Sequence, residues 1–481
     1  MGLILSLAGR LAGRSALMTR LAGRLVAREL RQLKGKPVER QLLVYDLPET
    51  QLALANDLRV IDTLLSDRAG TFPKAAALER LLRPLVGGGV FGQPGGDAVK
   101  QARRIFLRAL VRIPEQRVRS VASELTRAYL ADWQRQGQPV AIPSELSRLT
   151  IDIVSEASLG GRFSAAEGKR FVALFFAYHQ RANPVLLLLG GQAPAAQQAL
   201  VERMGLAAIG AEMRALIRQR FLVPLLDDRP LAERAPFAAA LLEAAAMGRG
   251  AEASPAQDEA RQTAMLDEIA VMLLAGHETT ASVLSWLLWE LADAPQEQDT
   301  AARLIAAARL GEGQNADADA ASQQQVAVDA EKAAARQLAA LTQEALRLYP
   351  PIAFLLRETT AAVSFRERPI CAGGFVVVSP WTIQRHRALW SAPDRFDPGR
   401  WLAAEPPPAM AERLAMIPFG YGPRVCPGKR FAEVEMQAIL SELLGSCHIA
   451  RRRGRAPNPL GTLTSRPDYD FCLQITPRGP G

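Results

Sequence analysis

Apolar residues run unbroken through positions 269–274 and dominate 281–288, with Ala275-Gly-His-Glu-Thr-Thr280 between them. A segment apolar on every side predicts a helix buried all round, here one long helix over about 258–293. An acid and two threonines at its centre are costly to bury without a purpose. They either serve chemistry or bend the helix, since hydroxyls bond back to preceding carbonyls. Further along, Glu344 and Arg347 share a helix face and Pro350-Pro351 stop that helix. Gly374 and the run Phe375-Val-Val-Val378 predict a turn and a short strand, and 469–475 is also strand-like. Segment 311–333, rich in Ala, Gln, Asp and Glu with little apolar periodicity, and segment 247–257, small and polar, predict surface connections.

The densest chemistry lies in Phe419-Gly-Tyr-Gly422-Pro-Arg424-Val-Cys426-Pro-Gly428, an F-x-x-G-x-R-x-C-x-G pattern. One cysteine with no second thiol nearby excludes a tetrahedral zinc cage and a Cys-x-x-Cys redox pair. The glycines and the arginine suit a thiolate bound to a large anionic cofactor, and haem fits that description. A thiolate axial ligand favours O–O cleavage, so a protein uses it for oxygen activation rather than oxygen carriage. Cys426 would ligate the iron, and Gly422 and Gly428 would let the backbone approach sulfur and macrocycle. Arg424 would pair with a propionate, and Phe419 would shield the thiolate. The alternative is a glycine-rich loop around an ordinary cysteine.

This loop resembles the haem-thiolate loop of the cytochrome P-450 superfamily, and other segments extend the resemblance. Ala275 to Thr280 is similar to the family's distal-helix pattern A/G-G-x-D/E-T-T/S. That likeness implies room for dioxygen beside Ala275 and Gly276, and proton relay by Thr279 and Glu278. His277 is expected to be structural, because neighbours on a helix point about 100° apart. Alone, Glu344-Ala-Leu-Arg347 reads as an exposed ion pair. With Phe396-Asp-Pro398-Gly-Arg400-Trp401 it resembles the family's buried cluster, in which Glu344, Arg347 and Arg400 would fix the loop carrying Cys426. Gly96-Asp-Ala-Val99-Lys-Gln-Ala-Arg103 stands where the family has G-x-x-W-x-x-x-R, so Arg103 would contact a propionate while Val99 replaces a tryptophan donor. Arg357 sits where the family often places another propionate-binding arginine. Segments 151–160 and 379–396 match the family's fifth helix and its strand-to-loop region. The apolar run 184–189 falls where the family has a lid; core packing explains its leucines equally well. The implied substrate pocket includes Val90, Phe91, Ala275 and the stretch from Ile352 to Leu355.

The resemblance implies a mainly α fold with a small β-rich part enclosing haem b (iron protoporphyrin IX). It also implies a monooxygenase inserting one atom of O2 into an apolar organic substrate. The rivals are a peroxide-driven or rearranging relative and a catalytically silent haem sensor, neither with an evident need for the acid and threonine. Because 53 residues follow Gly428 in the 481-residue chain, electrons are expected from a separate protein.

Length alone suggests about three domains, but motifs spread over about 70–430 must meet at one cofactor. The expected organisation is a basic amphipathic extension over 1–35 and one domain over 36–481. Leu-Ala-Gly-Arg occurs three times in the extension, which would lie peripherally on an acidic membrane, be disordered, or precede a true start at Met18. Four cysteines are too few for a disulfide framework, no apolar run of about 20 residues is present, and the expected location is cytoplasmic. The net charge of +9 is dispersed, and no nucleic-acid motif accompanies it. Lys100, Arg103, Arg104, Arg108 and Arg112 recur along one helix, and Lys429 and Arg430 follow the cysteine loop. Together they predict a positive face for a small acidic electron carrier, a ferredoxin or flavodoxin.

Overall fold

The computed structural model describes residues 41–46, 50–92, 96–182, 194–227, 234–247, 254–312, 320–403, 413–461 and 463–479. The 1–35 extension and the 184–189 run lie outside them. The described chain is mainly helical, with small sheets at its margins. The helices that frame the centre are α1 (Leu58–Ser66), α2 (Ala76–Val86), α3 (Gly96–Leu110), α4 (Glu115–Gln136), α5 (Ile142–Leu159) and α6 (Ala165–Arg181). They continue with α7 (Leu206–Ile217), α8 (Pro236–Met247), α9 (Pro255–Leu291), α10 (Pro295–Glu312), α11 (Ala320–Leu348) and α12 (Lys429–Ser446).

Helix α9 is the long helix the apolar pattern predicts. It starts at a capping box in which Ser254 and Gln257 bond each other's backbone N–H groups, with Pro255 at the first turn. Its residues 265–274 belong to one apolar core, shared with α2, α3, α5, α6, α7 and α8. Its residues 281–291 belong to a second, shared with α4, α10, α11 and α12. The polar motif 275–280 therefore lies where the two cores meet. By length and composition α9 is the one helix among the described residues able to cross a membrane, and 83% of its most apolar window is buried inside the protein.

Strands β1 (Leu42–Asp46), β2 (Gln51–Ala55), β3 (Val140–Ala141), β4 (Leu355–Glu358), β5 (Val363–Phe365), β6 (Arg368–Ile370) and β7 (Phe375–Val378) precede α12. Strands β8 (Cys447–Arg451), β9 (Pro459–Gly461), β10 (Ser465–Pro467) and β11 (Cys472–Pro477) follow it. The largest sheet has the order β1-β2-β7-β4, antiparallel except for the parallel β2–β7 pair. The strand expected at 375–378 is β7, and β11 covers much of the one expected at 469–475.

One predicted connection needs correction. Residues 320–333 are helical, the first half of α11, whereas the connection expected over 247–257 falls between α8 and α9, with 255–257 already in α9 and 248–253 outside the described residues. A largely exposed helix has little apolar periodicity to display. The Ala- and Gln-rich composition favours helix strongly and should have outweighed its polarity.

The predicted charge cluster forms, fully buried. Both Glu344 oxygens face Arg347, at 2.9 and 2.8 Å, and Arg400 Nε donates to Glu344 at 3.1 Å. Trp401 Nε1 and the Asp397 N–H also donate to this carboxylate, each at 2.9 Å. The route from the cluster to the cysteine loop runs through a residue the sequence reading gave no role. Arg347 donates to the Gln384 carbonyl at 2.9 Å, and the Gln384 side chain accepts the N–H of Ile417 at 3.0 Å, just before the loop. Removing one partner of a buried ionic cluster leaves its mates charged and unpaired. Glu344→Ala should lower unfolding free energy by about 3–5 kcal/mol, read by denaturant titration.

Candidate active site

One cavity of about 1180 Å³ occupies the centre of the fold, between α9 and the loop leading into α12. Its wall is mainly apolar. The sequence-predicted pocket residues Val90, Phe91, Ala275, Ile352 and Leu355 all border it. The Val90 loop is tied to α9 by two acids that the sequence reading did not single out. Asp267 accepts the Gly88 N–H at 2.7 Å and pairs with Arg214 of α7, while Glu268 accepts the Val90 N–H at 3.4 Å. Burial pushes the Glu268 carboxyl up to about 7.

Phe419, Arg424, Cys426 and Gly428 border the cavity from the opposite side. The Cys426 N–H donates to the Phe419 carbonyl at 2.8 Å, closing the loop on itself. Burial raises the Cys426 thiol, while the N–H groups of Gly428 and Lys429 and the Arg103 charge favour the thiolate. Those N–H groups belong to the start of α12, a helix end that stabilises anions. The other cysteines differ: Cys447 is buried in β8 with a Gln134 N–H at 3.5 Å from its sulfur, and neither it, Cys371 nor Cys472 borders the cavity.

Gly422 does a different job from the one expected. It has φ +73°, and a Cβ there would stand 2.3 Å from the Leu65 carbonyl oxygen. It seats the loop on α1 rather than opening space around sulfur. Gly276 likewise allows close helix packing, since a Cβ would meet Val154 of α5 at 2.9 Å. Ala275 and Gly276 both border the cavity, as the sequence implies.

The propionate candidates Arg103, Arg357 and Arg424 all border the cavity, and a fourth cation, Lys74, joins them. A backbone bridge pairs Lys74 with Arg357, which puts their side chains next to each other. Lys74 donates to the Phe91 carbonyl at 2.7 Å, and burial lowers its ammonium to about 8, against attraction from Glu79 and with added repulsion from Arg357 and Arg424. Arg357 is 6% exposed, and its Nε has no hydrogen-bond partner. Burial and the Arg424 charge lower it to about 10. Arg424 donates to the Phe72 carbonyl at 3.1 Å and Arg103 to the Val425 carbonyl at 2.6 Å. Among the described ion pairs none joins these four cations to a carboxylate. An apolar hollow with clustered cations that have no described ion pair at one edge, and a single thiol bordering it, fits a large, flat, dianionic group carrying a metal. Haem b meets that description.

Thr279 borders the cavity and donates its hydroxyl to the Ala275 carbonyl at 2.7 Å. Glu278 does not border it; the carboxyl is 3% exposed and faces Thr464 at 3.2 Å. Burial pushes it up to about 7. His277 is structural, as expected: its Nδ1 lies 2.8 Å from the Leu273 carbonyl and its ring packs against Phe171 and Phe175. Burial holds it at about 4 and therefore neutral.

The positive face is weaker than its sequence suggests, because both distant and neighbouring acids neutralise part of it. Arg112 pairs with Glu243 at 2.7 Å, Arg430 with Glu115 at 2.6 Å, Lys100 with Asp97 at 2.9 Å and Lys429 with Glu433 at 3.8 Å. Arg104 and Arg108 are exposed without a described ion pair.

Comparison with known proteins agrees with this geometry. The family model described as Cytochrome P450 matches residues 26–473, and the chain belongs to that family. The family implies haem with cysteine thiolate ligation. The human mitochondrial 25-hydroxyvitamin D-1 alpha hydroxylase is 31% identical over 223 residues, 46% of this chain and 41% of that protein. The chain thus matches less than half the length of that relative. Cytochrome P450 monooxygenase sphH of Aspergillus fumigatus is 26% identical over 83% of this chain and 74% of its own. The crystal structure of the cytochrome P450DA heme domain superposes with a TM-score of 0.70 at 21% identity, covering 96% of this chain and 95% of that one. That likeness establishes the fold.

Proposed function

We propose that the protein is a haem-thiolate monooxygenase, inserting one oxygen atom from O2 into an apolar organic substrate and reducing the other to water. The observation that carries this is the meeting, in one apolar cavity, of Cys426, four cations without a described ion pair and Thr279. Haem, when bound, supplies the binding and reductive activation of dioxygen. Cys426 would ligate the iron, and the N–H groups at the start of α12 favour its thiolate. Arg103, Arg357, Arg424 and Lys74 would hold the two propionates, and Phe419 would cover the sulfur side. Val90, Phe91, Ala275, Ile352 and Leu355 exclude water and orient the substrate. Glu278 and Thr279 handle protons, Glu278 being half-protonated near neutral pH and so able to give and regain one.

The electron donor is a separate acidic protein of ferredoxin or flavodoxin type. Arg104 and Arg108 of α3 carry its attraction. The 1–35 segment is proposed as a peripheral membrane contact of a protein otherwise in the cytoplasm. Its basic amphipathic composition supports this.

Two measurements test the reading. The ferrous carbon monoxide complex should show the strongly red-shifted Soret band of thiolate ligation, and Cys426→His should abolish it while Cys447→Ser leaves it in place. A histidine-type spectrum in the unaltered protein would remove Cys426 from its role. Reduction by an acidic carrier should slow as salt rises past physiological strength, where the screening length is about 8 Å. Arg104→Glu with Arg108→Glu should slow it several-fold at low salt with the carbon monoxide spectrum unchanged, whereas Arg112→Glu should matter less because Glu243 already neutralises that site.

A further inference from the structure

Glu278 and Thr279 are adjacent on a helix, so their side chains diverge by about 100°. The described hydrogen bonds do not join them. Thr279 turns back to Ala275, and Glu278 sits behind the cavity wall. The carboxyl's described hydrogen bond is to Thr464, just before β10, and Thr464 does border the cavity. Behind Thr464 stands His179, at the end of α6 and fully buried. The Thr464 N–H donates to His179 Nε2 at 2.9 Å, which makes that nitrogen an acceptor, and the Thr464 hydroxyl lies 2.7 Å from the same atom. One side chain is therefore held at two points by the histidine, touches the carboxyl and faces the cavity.

We propose that Thr464, positioned by His179, is the hydroxyl through which the Glu278 carboxyl exchanges protons with the cavity. The proposal deepens the assignment of Glu278 as proton source and rests on it. In the forward step the Glu278 O–H bond breaks as its proton passes to Thr464 Oγ1. The Thr464 hydroxyl, which donates to His179 Nε2 while Glu278 is protonated, turns to the cavity, and its O–H bond breaks as its own proton leaves for a basic oxygen there. Threonine ends neutral and Glu278 ends as carboxylate, and a hydronium ion reaching the cavity restores the proton by the same chain in reverse, leaving water. His179 takes no proton: burial and the Arg466 charge hold it well below its usual range. The groups acting on Glu278 are Arg466 of β10, which favours the anion, neutral His179 of α6 through Thr464, and neutral His277 of α9 itself. The Thr464 bond favours the ionised carboxyl, so its loss must raise the pH at which Glu278 ionises.

The test combines infrared titration with coupling measurements. The protonated-carboxyl stretch of Glu278 is identified by its loss in Glu278→Gln, and it should titrate near pH 7 in the unaltered protein. Thr464→Val should move that midpoint upward by roughly one pH unit and raise the share of reducing equivalents lost to peroxide several-fold. Thr464→Ser, which keeps the hydroxyl, should restore both. Combining Thr464→Val with Glu278→Gln should uncouple no more than Glu278→Gln alone, since both break one chain. An unmoved midpoint in Thr464→Val, additive uncoupling in the double variant, or a serine that behaves as valine overturns the proposal while leaving Glu278 as proton source. Unchanged coupling in Glu278→Gln overturns that underlying assignment, and the proposal falls with it.

Discussion

Clustered positive charge without an ion-pair partner, with Arg357 buried in its midst, is the constraint around which the centre of this protein is organised. Arg357 is almost fully buried with an unpartnered Nε, and Lys74 and Arg424 repel it across the same edge of the cavity. Bringing such charges together in a low-dielectric place is expensive. Natural proteins retain an arrangement of this kind where a ligand neutralises it. Here the ligand must be anionic at one edge and apolar elsewhere, and must reach the thiol of Cys426 on the cavity floor. The fold therefore carries the cost of the cofactor site in its own framework.

The remaining architecture fixes the two walls of that site against each other. Helix α9 passes between two cores and presents its small and polar residues at their junction, so 275–280 is rigid without being part of either. The opposite wall is a loop with little regular structure, and it borrows rigidity from elsewhere. The Glu344, Arg347 and Arg400 cluster holds the 384–397 segment, Gln384 passes that order to Ile417, and Gly422 lets the loop rest on α1. The cluster thus acts on the cysteine through two intermediaries rather than by contact.

Much of this was legible in the sequence because the informative residues lie close together in it. Spacing within ten positions places Cys426, Arg424 and Phe419, and unbroken apolarity marks α9. What escaped depends on residues far apart in the chain. Lys74 joins Arg357 only through a backbone bridge spanning most of the sequence, and Thr464 and His179 meet Glu278 from two distant elements. The same limit weakened the positive face, since Glu243 and Glu115 neutralise arginines that look free in a local reading. The first half of α11 was missed for another reason, because an exposed helix leaves no apolar stripe to detect.

The central claim is that the cation cluster around buried Arg357 is a standing cost that the bound cofactor relieves. Thermal and denaturant unfolding of Arg357→Met, with and without haem, tests it most directly. The account predicts that the haem-free variant gains about 1–4 kcal/mol over the haem-free parent, because a charge without a partner has been replaced by an apolar side chain of similar length. It also predicts that haem stabilises the variant less than the parent. A haem-free variant less stable than its parent, with the gain from haem undiminished, would contradict it.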